Sequence, residues 1–185
     1  VTKTHIASGC KHTDDVVVTV DKPTVVAVAG SDFTKTCVTN ASGATIGVAP
    51  VGGVTYSWTP TTGLSSSTVA NPTANPTTTT VYTLTATNTV SGCTATSNVT
   101  VTVNTTLPVA NAGTAFTKTC TTNPSGATIG VASVAGVTYS WSPITGLSSS
   151  TVSNPTANPT VATTYTVTVT NTLSGCSDVA STSQV

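Results

Sequence analysis

One segment of the sequence occurs twice, 83 residues apart. Residues 54–76 read VTYSWTPTTGLSSSTVANPTANP, and residues 137–159 read VTYSWSPITGLSSSTVSNPTANP. A gap-free alignment of residues 34–93 with residues 117–176 keeps 47 of 60 positions identical. Self-similarity at a fixed period is typical of repeat architectures, in which one structural unit stacks on the next. The chain is therefore predicted to be a tandem array of small units.

The cysteines extend this register towards residue 1. Cys10, Cys93 and Cys176 each follow a Ser-Gly pair and are separated by 83 and 83 residues. Val1 then corresponds to the middle of a predicted strand. We expect three units: the last two strands of a preceding partial repeat (1–20), a full repeat (21–103) and a second full repeat (104–185). The alternative is a complete subunit whose leading hairpin docks on a neighbouring subunit.

Apolar and polar residues alternate along the repeated segments. Val54, Tyr56 and Trp58 alternate with Thr and Ser, and Tyr82 and Leu84 do the same in a later run. A period of two is the signature of a strand with one buried face. No run follows the helical period of 3.6 residues. The pattern predicts antiparallel sheets with a core face and a threonine-covered solvent face.

The number of these runs defines the expected fold. Each 83-residue unit contains six or seven short strands, one Trp and a Ser-Gly-Cys hairpin turn, which is typical of an all-β, immunoglobulin-like sandwich. The aromatic side chains are expected in the core, because they alternate with polar residues. The alternative for the tryptophans is a sugar-stacking platform. The expected core aromatics are Tyr56, Trp58, Tyr82, Tyr139, Trp141 and Tyr165.

Composition excludes several functions. The five Lys and five Asp residues balance to a formal net charge of zero. Nucleic-acid binding is not expected, because the chain lacks a basic surface for phosphates. No stretch of 18 apolar residues occurs, so no membrane insertion is expected. Threonine, with 47 residues, keeps the surface polar.

Residues suited to catalysis or metal binding are few. His5 and His12 flank Cys10, a grouping that suggests metal binding but is more often a solvated hairpin. Asp14 and Asp15 could act as a carboxylate pair, but they lie beside a polar strand and belong to no catalytic motif. Neither a Ser-His-Asp set nor a phosphate-binding loop nor an HExxH motif occurs. The sequence therefore predicts a protein that is not an enzyme, with no catalytic residues, no metal and no cofactor.

Five cysteines in a chain without a catalytic pattern predict disulfides and an oxidising compartment. One pairing joins cysteines within each repeat, as Cys37–Cys93 and Cys120–Cys176. The other joins Cys37 to Cys176 across the repeat junction. In a sandwich, a last strand of about ten residues separates Cys37 from Cys93 by roughly 30 Å, too far for a disulfide. The sequence alone leaves both pairings open.

Three asparagines begin N-x-S/T sequons and are possible glycosylation sites. They are Asn40, Asn98 and Asn104. Such sequons are frequent by chance in a chain this rich in threonine. They allow glycosylation without requiring it.

Several segments resemble tandem PKD-like/Ig-like repeats of Bacteroidota cell-surface adhesins, including the gliding-motility adhesins. The matching segments are AGSDFTKTC, YSWTPTTGLS, NPTANPTTTTVYTLTATNTVSGC and VTVTV. The resemblance covers nearly the whole chain. It implies a β-sandwich array, export by the type IX system and an extracellular or cell-surface location.

The leading functional hypothesis is therefore a structural extracellular repeat protein that forms the shaft of a surface filament or adhesin. The alternative is a carbohydrate-binding or spacer module of a secreted multidomain enzyme. Expected partners are further copies of the same repeat, in the same chain or filament. Surface glycans or host or substrate surfaces would be reached through other domains.

Overall fold

The computed structural model describes residues 2–20 and 24–185 of the 185-residue chain. In these ranges the regular elements are β-strands, and no helix is long and apolar enough to cross a membrane. The unit boundary expected at residue 21 lies outside the described residues. The three-unit division itself stays a prediction.

The chain begins with a short hairpin. Strand β1 (Thr2–Thr4) pairs antiparallel with strand β2 (Lys11–Thr13), and Lys3 lies opposite His12. Every residue from 2 to 20 is exposed, including Ile6 and Val16. The hairpin has the Ser-Gly-Cys turn of the later repeats without a sandwich around it.

The first full repeat contains six strands. They are β3 (Phe33–Lys35), β4 (Ala44–Thr45), β5 (Val54–Thr59), β6 (Thr73–Ala74), β7 (Thr80–Asn88) and β8 (Thr94–Val103). One sheet has the order β3-β8-β7-β5, and the second consists of β4 and β6. Strand β3 runs parallel to the end of β8, with Phe33 opposite Val101. This pairing brings the start of the repeat beside its last residues.

The second full repeat has the same arrangement. Its strands are β9 (Ala127–Thr128), β10 (Val137–Ser142), β11 (Thr156–Ala157), β12 (Thr163–Asn171) and β13 (Ser177–Gln184). The larger sheet has the order β10-β12-β13, and β9 pairs with β11. A parallel bridge between Phe116 and Gln184 takes the place of the β3–β8 pairing.

Each repeat has its own apolar core between its two sheets. In the first repeat the core consists of Ala29, Ile46, Trp58, Ala74, Tyr82, Leu84, Val99 and Val101. In the second it consists of Ala112, Ile129, Trp141, Ala157, Tyr165, Val167 and Val169. These are the inward-facing members of the alternating runs, as the period of two predicts. The protein is all-β and folds as immunoglobulin-like β-sandwiches.

The last strands of the two repeats differ in their inward-facing residues. Val99 and Val101 of β8 are replaced in β13 by Thr182 and Gln184, which are also buried. The Gln184 side chain accepts a hydrogen bond from the Phe116 N–H at 2.9 Å and donates one to the Thr182 hydroxyl at 3.3 Å. Hydrogen bonding makes this polar pair tolerable in the core.

Candidate functional site

The region of greatest functional interest is the junction between the two full repeats. We call the end of a repeat at which its last strand finishes the distal end, and the opposite end the proximal end. Two segments meet at the junction: residues 36–40, here called the first cysteine loop, and residues 172–176, here called the second SGC turn. Their equivalents elsewhere in the chain are the second cysteine loop (119–123) and the first SGC turn (89–93).

The first cysteine loop lies at the distal end of the first repeat, because β3 runs parallel to the end of β8. The Lys35 carbonyl accepts a hydrogen bond from the Asn104 N–H at 2.9 Å, just beyond the last residue of β8. Within the loop, the Thr36 hydroxyl accepts the N–H of Val38 at 3.2 Å and of Thr39 at 2.8 Å. These bonds form an ST-type turn that presents Cys37 outwards.

The second SGC turn lies at the proximal end of the second repeat, between β12 and β13. The Asn171 side chain accepts the N–H groups of Leu173 and Ser174 at 2.9 and 3.0 Å. The Asn171 N–H bonds to the Cys176 carbonyl at 2.9 Å. Gly175 has φ +66°, a left-handed conformation that glycine adopts without steric cost. The turn therefore holds Cys176 at the tip of the hairpin.

The loop and the turn are joined covalently. Cys37 and Cys176 form a disulfide with their Cα atoms 5.1 Å apart and a sequence separation of 139. The Cys37 N–H donates to the Ser174 carbonyl at 3.1 Å, and the Ser174 hydroxyl donates to the Thr106 carbonyl at 2.8 Å. Ser174 is 0% exposed and Cys176 1% exposed. The junction is thus a closed contact with hydrogen bonds on both sides of the disulfide.

Of the two pairings that the sequence left open, the structure contains the one across the junction. Cys93 and Cys120 are free thiols, so neither Cys37–Cys93 nor Cys120–Cys176 is present. The ten residues of β8 separate Cys93 from the distal end. At about 3.3 Å per residue, this strand is several times longer than the Cα separation a disulfide allows.

The arrangement is suited to a mechanical role. A disulfide that links two domains limits how far they can bend apart and shortens the chain available when either domain unfolds. Here the flanking hydrogen bonds and the packing of Gly175 against Val38 also fix the direction in which the second repeat continues. A Cβ atom at Gly175 would lie 2.6 Å from Val38 Cγ2, so the turn and the loop are in tight contact.

The predicted core aromatics lie in the two sandwiches. Trp58 and Trp141 are 1% and 2% exposed, and their indole N–H groups each donate to a backbone carbonyl, of Val69 and Val152, at 2.9 Å. An indole buried in this way presents no face on which a sugar could stack. Tyr56 is half-buried and packs against the first core. Tyr139 occupies the same position in the second repeat.

Tyr82 and Tyr165 are buried completely. Their hydroxyl groups donate to the carbonyls of Thr62 and Thr145, each at 2.7 Å. Burial raises the pKa of both phenols above the usual value. The hydrogen bonds tie the loop after β5 or β10 to the neighbouring long strand.

The three sequon asparagines have different surroundings. Asn40 has φ 49° and donates through its side chain to the Thr34 carbonyl at 3.0 Å, so it stabilises the first cysteine loop. Asn98 is exposed on the solvent face of β8. Asn104 is half-buried beside the junction, and its side chain accepts the Thr106 N–H at 3.4 Å. Glycosylation at these positions stays a prediction, and Asn98 has the most accessible amide.

Side chains suited to metal binding are not gathered into a site in the described ranges. No group of three or more His, Cys, Asp or Glu side chains there could hold a metal ion. An open depression of about 750 Å³ lies on the leading hairpin, and His5, Cys10 and His12 help to line it. His5 Nδ1 lies 3.0 Å from the Ser8 hydroxyl, which is a local contact within the turn.

Sequence reasoning missed the polar groups that complete the junction. Neither Ser174 nor Thr106 stands out in a chain so rich in Ser and Thr, and their hydrogen bond depends on the path of the linker. Two further hydrogen bonds, Asp178–Ala110 and Asp32–Thr100, join residues that are 68 positions apart, as Ser174 and Thr106 are. No motif in the sequence indicates these pairs either. In the last two pairs an aspartate accepts a backbone N–H, at 2.9 and 2.7 Å.

The chain is similar to several solved structures at low sequence identity. The chain matches no protein-family model and no curated protein. Among solved structures it is similar to titin domains I67–I69 in an E-to-A mutated variant, with 13% identity over 85% of this chain and 62% of that chain, and a TM-score of 0.43. It is also similar to extracellular domains 3–5 of Drosophila OTK, with 14% identity over 86% and 61% and a TM-score of 0.41. The chain spans about three fifths of these solved chains.

Proposed function

We propose that the protein is a structural, extracellular repeat module whose sandwiches stack end to end to form the shaft of a surface filament or adhesin. The observation that carries the proposal is the Cys37–Cys176 disulfide across the junction. A bond between repeats contributes to a rigid rod, whereas a bond within a repeat would stabilise only that repeat.

The surroundings of the disulfide support this role. Arrays of sandwiches that bind calcium at their junctions need acidic ligands there, and the linker at 104–113, NTTLPVANAG, has none. Covalent locking together with the hydrogen bonds of Ser174 supplies stiffness in the absence of calcium. Disulfides persist in oxidising environments, which supports a location outside the cytoplasm.

The polar surface also fits a shaft. Thr and Ser cover the solvent faces of the long strands, as in β7, where Thr83, Thr85 and Thr87 alternate with buried residues. Net charge is zero, so the surface has little attraction for nucleic acids or anionic lipids. Binding to glycans or to host or substrate surfaces would then belong to other domains of a longer protein. The resemblance to Bacteroidota adhesin repeats, with export by the type IX system, agrees with this role.

The shape of the particle tests the proposal. Small-angle scattering or electron microscopy of chains with increasing numbers of repeats is expected to show a rod that lengthens by roughly 35–45 Å per repeat, the height of a sandwich of ~10-residue strands. A maximum dimension that stays constant as repeats are added would reject the shaft. Glycan binding by the isolated repeats that a surface variant abolishes without unfolding would favour a carbohydrate-binding module instead.

A further inference from the structure

The second cysteine loop has the same internal structure as the first but is not covered. The Thr119 hydroxyl accepts the N–H groups of Thr121 and Thr122 at 3.2 and 2.8 Å, the same distances as in the first loop. Asn123 has φ 47° and donates to the Thr117 carbonyl at 2.9 Å. Cys120 is an exposed free thiol. This loop is therefore already in the conformation in which the first loop binds an SGC turn.

Exposure and an open cavity mark the same surface. Thr36 of the first loop is 8% exposed, whereas its equivalent Thr119 is exposed, although their backbone hydrogen bonds are alike. A cavity of about 460 Å³ lies at this distal end, lined by Lys118, Thr119, Cys120, Pro124, Pro159 and Val185. The second repeat thus ends in a concave surface next to a free thiol.

The first SGC turn, at the proximal end of the first repeat, is the surface that matches the second cysteine loop. Asn88 accepts the N–H groups of Val90 and Ser91 at 2.9 and 3.0 Å, the distances found in the second turn. Gly92 has φ +70°, and a Cβ atom placed there would meet nothing within 4 Å. Cys93 is a free thiol and half-buried. The turn has the shape of the bound one, with its contact face open.

We propose that separate copies of this chain join head to tail, with Cys120 of one copy forming a disulfide with Cys93 of a second copy. The proposal rests on the proposed function and extends it from repeats joined within one chain to separate copies joined in a covalent polymer. Its basis is the structure's own junction, in which the equivalent residues Cys37 and Cys176 are bonded.

The contacts of the internal junction indicate how the copies recognise each other. The Cys120 N–H would donate to the Ser91 carbonyl, as the Cys37 N–H does to Ser174. Thr121 occupies the position equivalent to Val38 and is similar to it in shape, so it would pack on Gly92 of the second copy. The residue that corresponds to Thr106 in the second copy is Pro23, which lies outside the described residues. Because no linker joins the two copies, the link lacks the roughly millimolar effective concentration of a tethered pair, so polymerisation depends on protein concentration.

The bond forms by thiol–disulfide exchange with a small-molecule disulfide as the oxidant. The Cys120 thiolate attacks one sulfur of the oxidant and releases the first small thiolate. The Cys93 thiolate of the second copy then attacks Cys120 in this mixed disulfide and releases the second. In sum, two protein thiols and one oxidant disulfide become one protein disulfide and two small thiols.

The test uses the 185-residue protein and single-cysteine variants, incubated with oxidised glutathione and separated on a non-reducing gel. The wild-type protein should form a ladder of multiples of 18.2 kDa that disappears on reduction and lengthens with protein concentration. Cys120→Ser and Cys93→Ser should each remain monomeric, whereas Cys10→Ser should polymerise like the wild type. A mixture of Cys120→Ser with Cys93→Ser should stop at a dimer, since only one productive pair remains.

Each other result overturns the proposal. A dimer formed by Cys93→Ser alone would indicate a bond that does not involve Cys93, such as a symmetric Cys120–Cys120 bond, and loss of the ladder in Cys10→Ser would assign the link to Cys10. A wild-type protein that stays monomeric would also reject it. Circular dichroism melts of the variants check folding. The dimensions of the monomer are measured on the same samples, so that a rod without a ladder rejects only the polymer, and a compact monomer rejects the shaft.

Discussion

The two cysteine loops have nearly the same sequence and the same internal hydrogen bonds, yet only one of them is part of a junction. The first, at 36–40, binds the second SGC turn, and Thr36 there is buried. The second, at 119–123, is exposed and keeps Cys120 as a free thiol. The conformation of the loop is therefore set locally by its own Thr and Asn. Contact with an SGC turn adds the disulfide, but the cysteine loop has the same conformation without that contact.

The SGC turns make the complementary comparison. Ser174 and Cys176 are buried, whereas Ser91 and Cys93 in the first turn are half-buried. Both turns are held by an asparagine that accepts two backbone N–H groups. Substitutions at paired positions of the two repeats thus separate the contribution of the junction from that of the local fold.

The largest difference is expected for the cysteines of the two loops. Cys37→Ser removes the disulfide and should lower the free energy of unfolding by about 2–4 kcal/mol, because the unfolded chain is no longer constrained. Cys120→Ser removes only an exposed thiol and should leave the value unchanged. Denaturant titration by fluorescence measures both. Equal stabilities for the two variants would mean that the disulfide does not couple the repeats.

The glycines of the two turns should differ next. Gly92→Ala and Gly175→Ala share a cost of roughly 1–2 kcal/mol, because both positions have left-handed φ values of +70° and +66°. Gly175→Ala should cost a further roughly 1–2 kcal/mol, since the new methyl group would overlap Val38. The measurement is the free energy of unfolding, with the yield of the Cys37–Cys176 bond after refolding. Equal costs at both positions would argue against tight packing at the junction.

A smaller difference is expected for the serines. Ser174→Ala removes the hydrogen bond to the Thr106 carbonyl, whereas Ser91→Ala serves as the matched control. Both serine hydroxyls also accept the N–H of the following cysteine, at 3.2 and 3.3 Å, so that loss is common to the two variants. The excess cost at Ser174 should be about 0.5–1.5 kcal/mol in thermal or denaturant unfolding. The interpretation fails if Ser91→Ala is the more damaging change.

The buried tyrosines should show no difference between the repeats. Tyr82→Phe and Tyr165→Phe each lose one hydrogen bond of 2.7 Å to a carbonyl and should each cost about 0.5–1.5 kcal/mol. Burial raises both folded-state pKa values, so the neutral phenols favour the folded state. Their contribution to the free energy of unfolding is complete below the unfolded-state pKa of about 10, and it is lost as the pH rises through the folded-state pKa.

Unfolding measured from pH 7 to pH 11 tests this. The free energy of unfolding of the wild type should decline above about pH 10, and the double variant Tyr82→Phe/Tyr165→Phe should decline less. The two single variants should behave alike. A decline in the wild type that begins below pH 9 would have to come from other groups.

Strand positions were predictable, because the alternation along segments such as 54–59 is the pattern of a strand with one buried face. The location of Cys37 and Cys93 at opposite ends of the first repeat also followed from the length of the last strand. The Ser174–Thr106 bond was not predictable, since it depends on how a linker without a turn motif brings two repeats together. Gln184 was not expected in the core. The period of two indicates which face of the strand a residue lies on, but it does not indicate which groups would form hydrogen bonds with a buried polar side chain.

The most direct test of the disulfide-locked junction is proteolysis of the unreduced monomer with an enzyme that cuts after lysine. The only lysines beyond residue 22 are Lys35 and Lys118, so Cys37 and Cys93 fall in peptide 36–118, and Cys120 and Cys176 fall in peptide 119–185. After alkylation and denaturation, we expect one linked species that contains both peptides, with Cys93 and Cys120 alkylated, and that separates on reduction; Cys10 should be alkylated in the separate peptide 4–11. Two unlinked peptides, each with an internal disulfide, would contradict the junction.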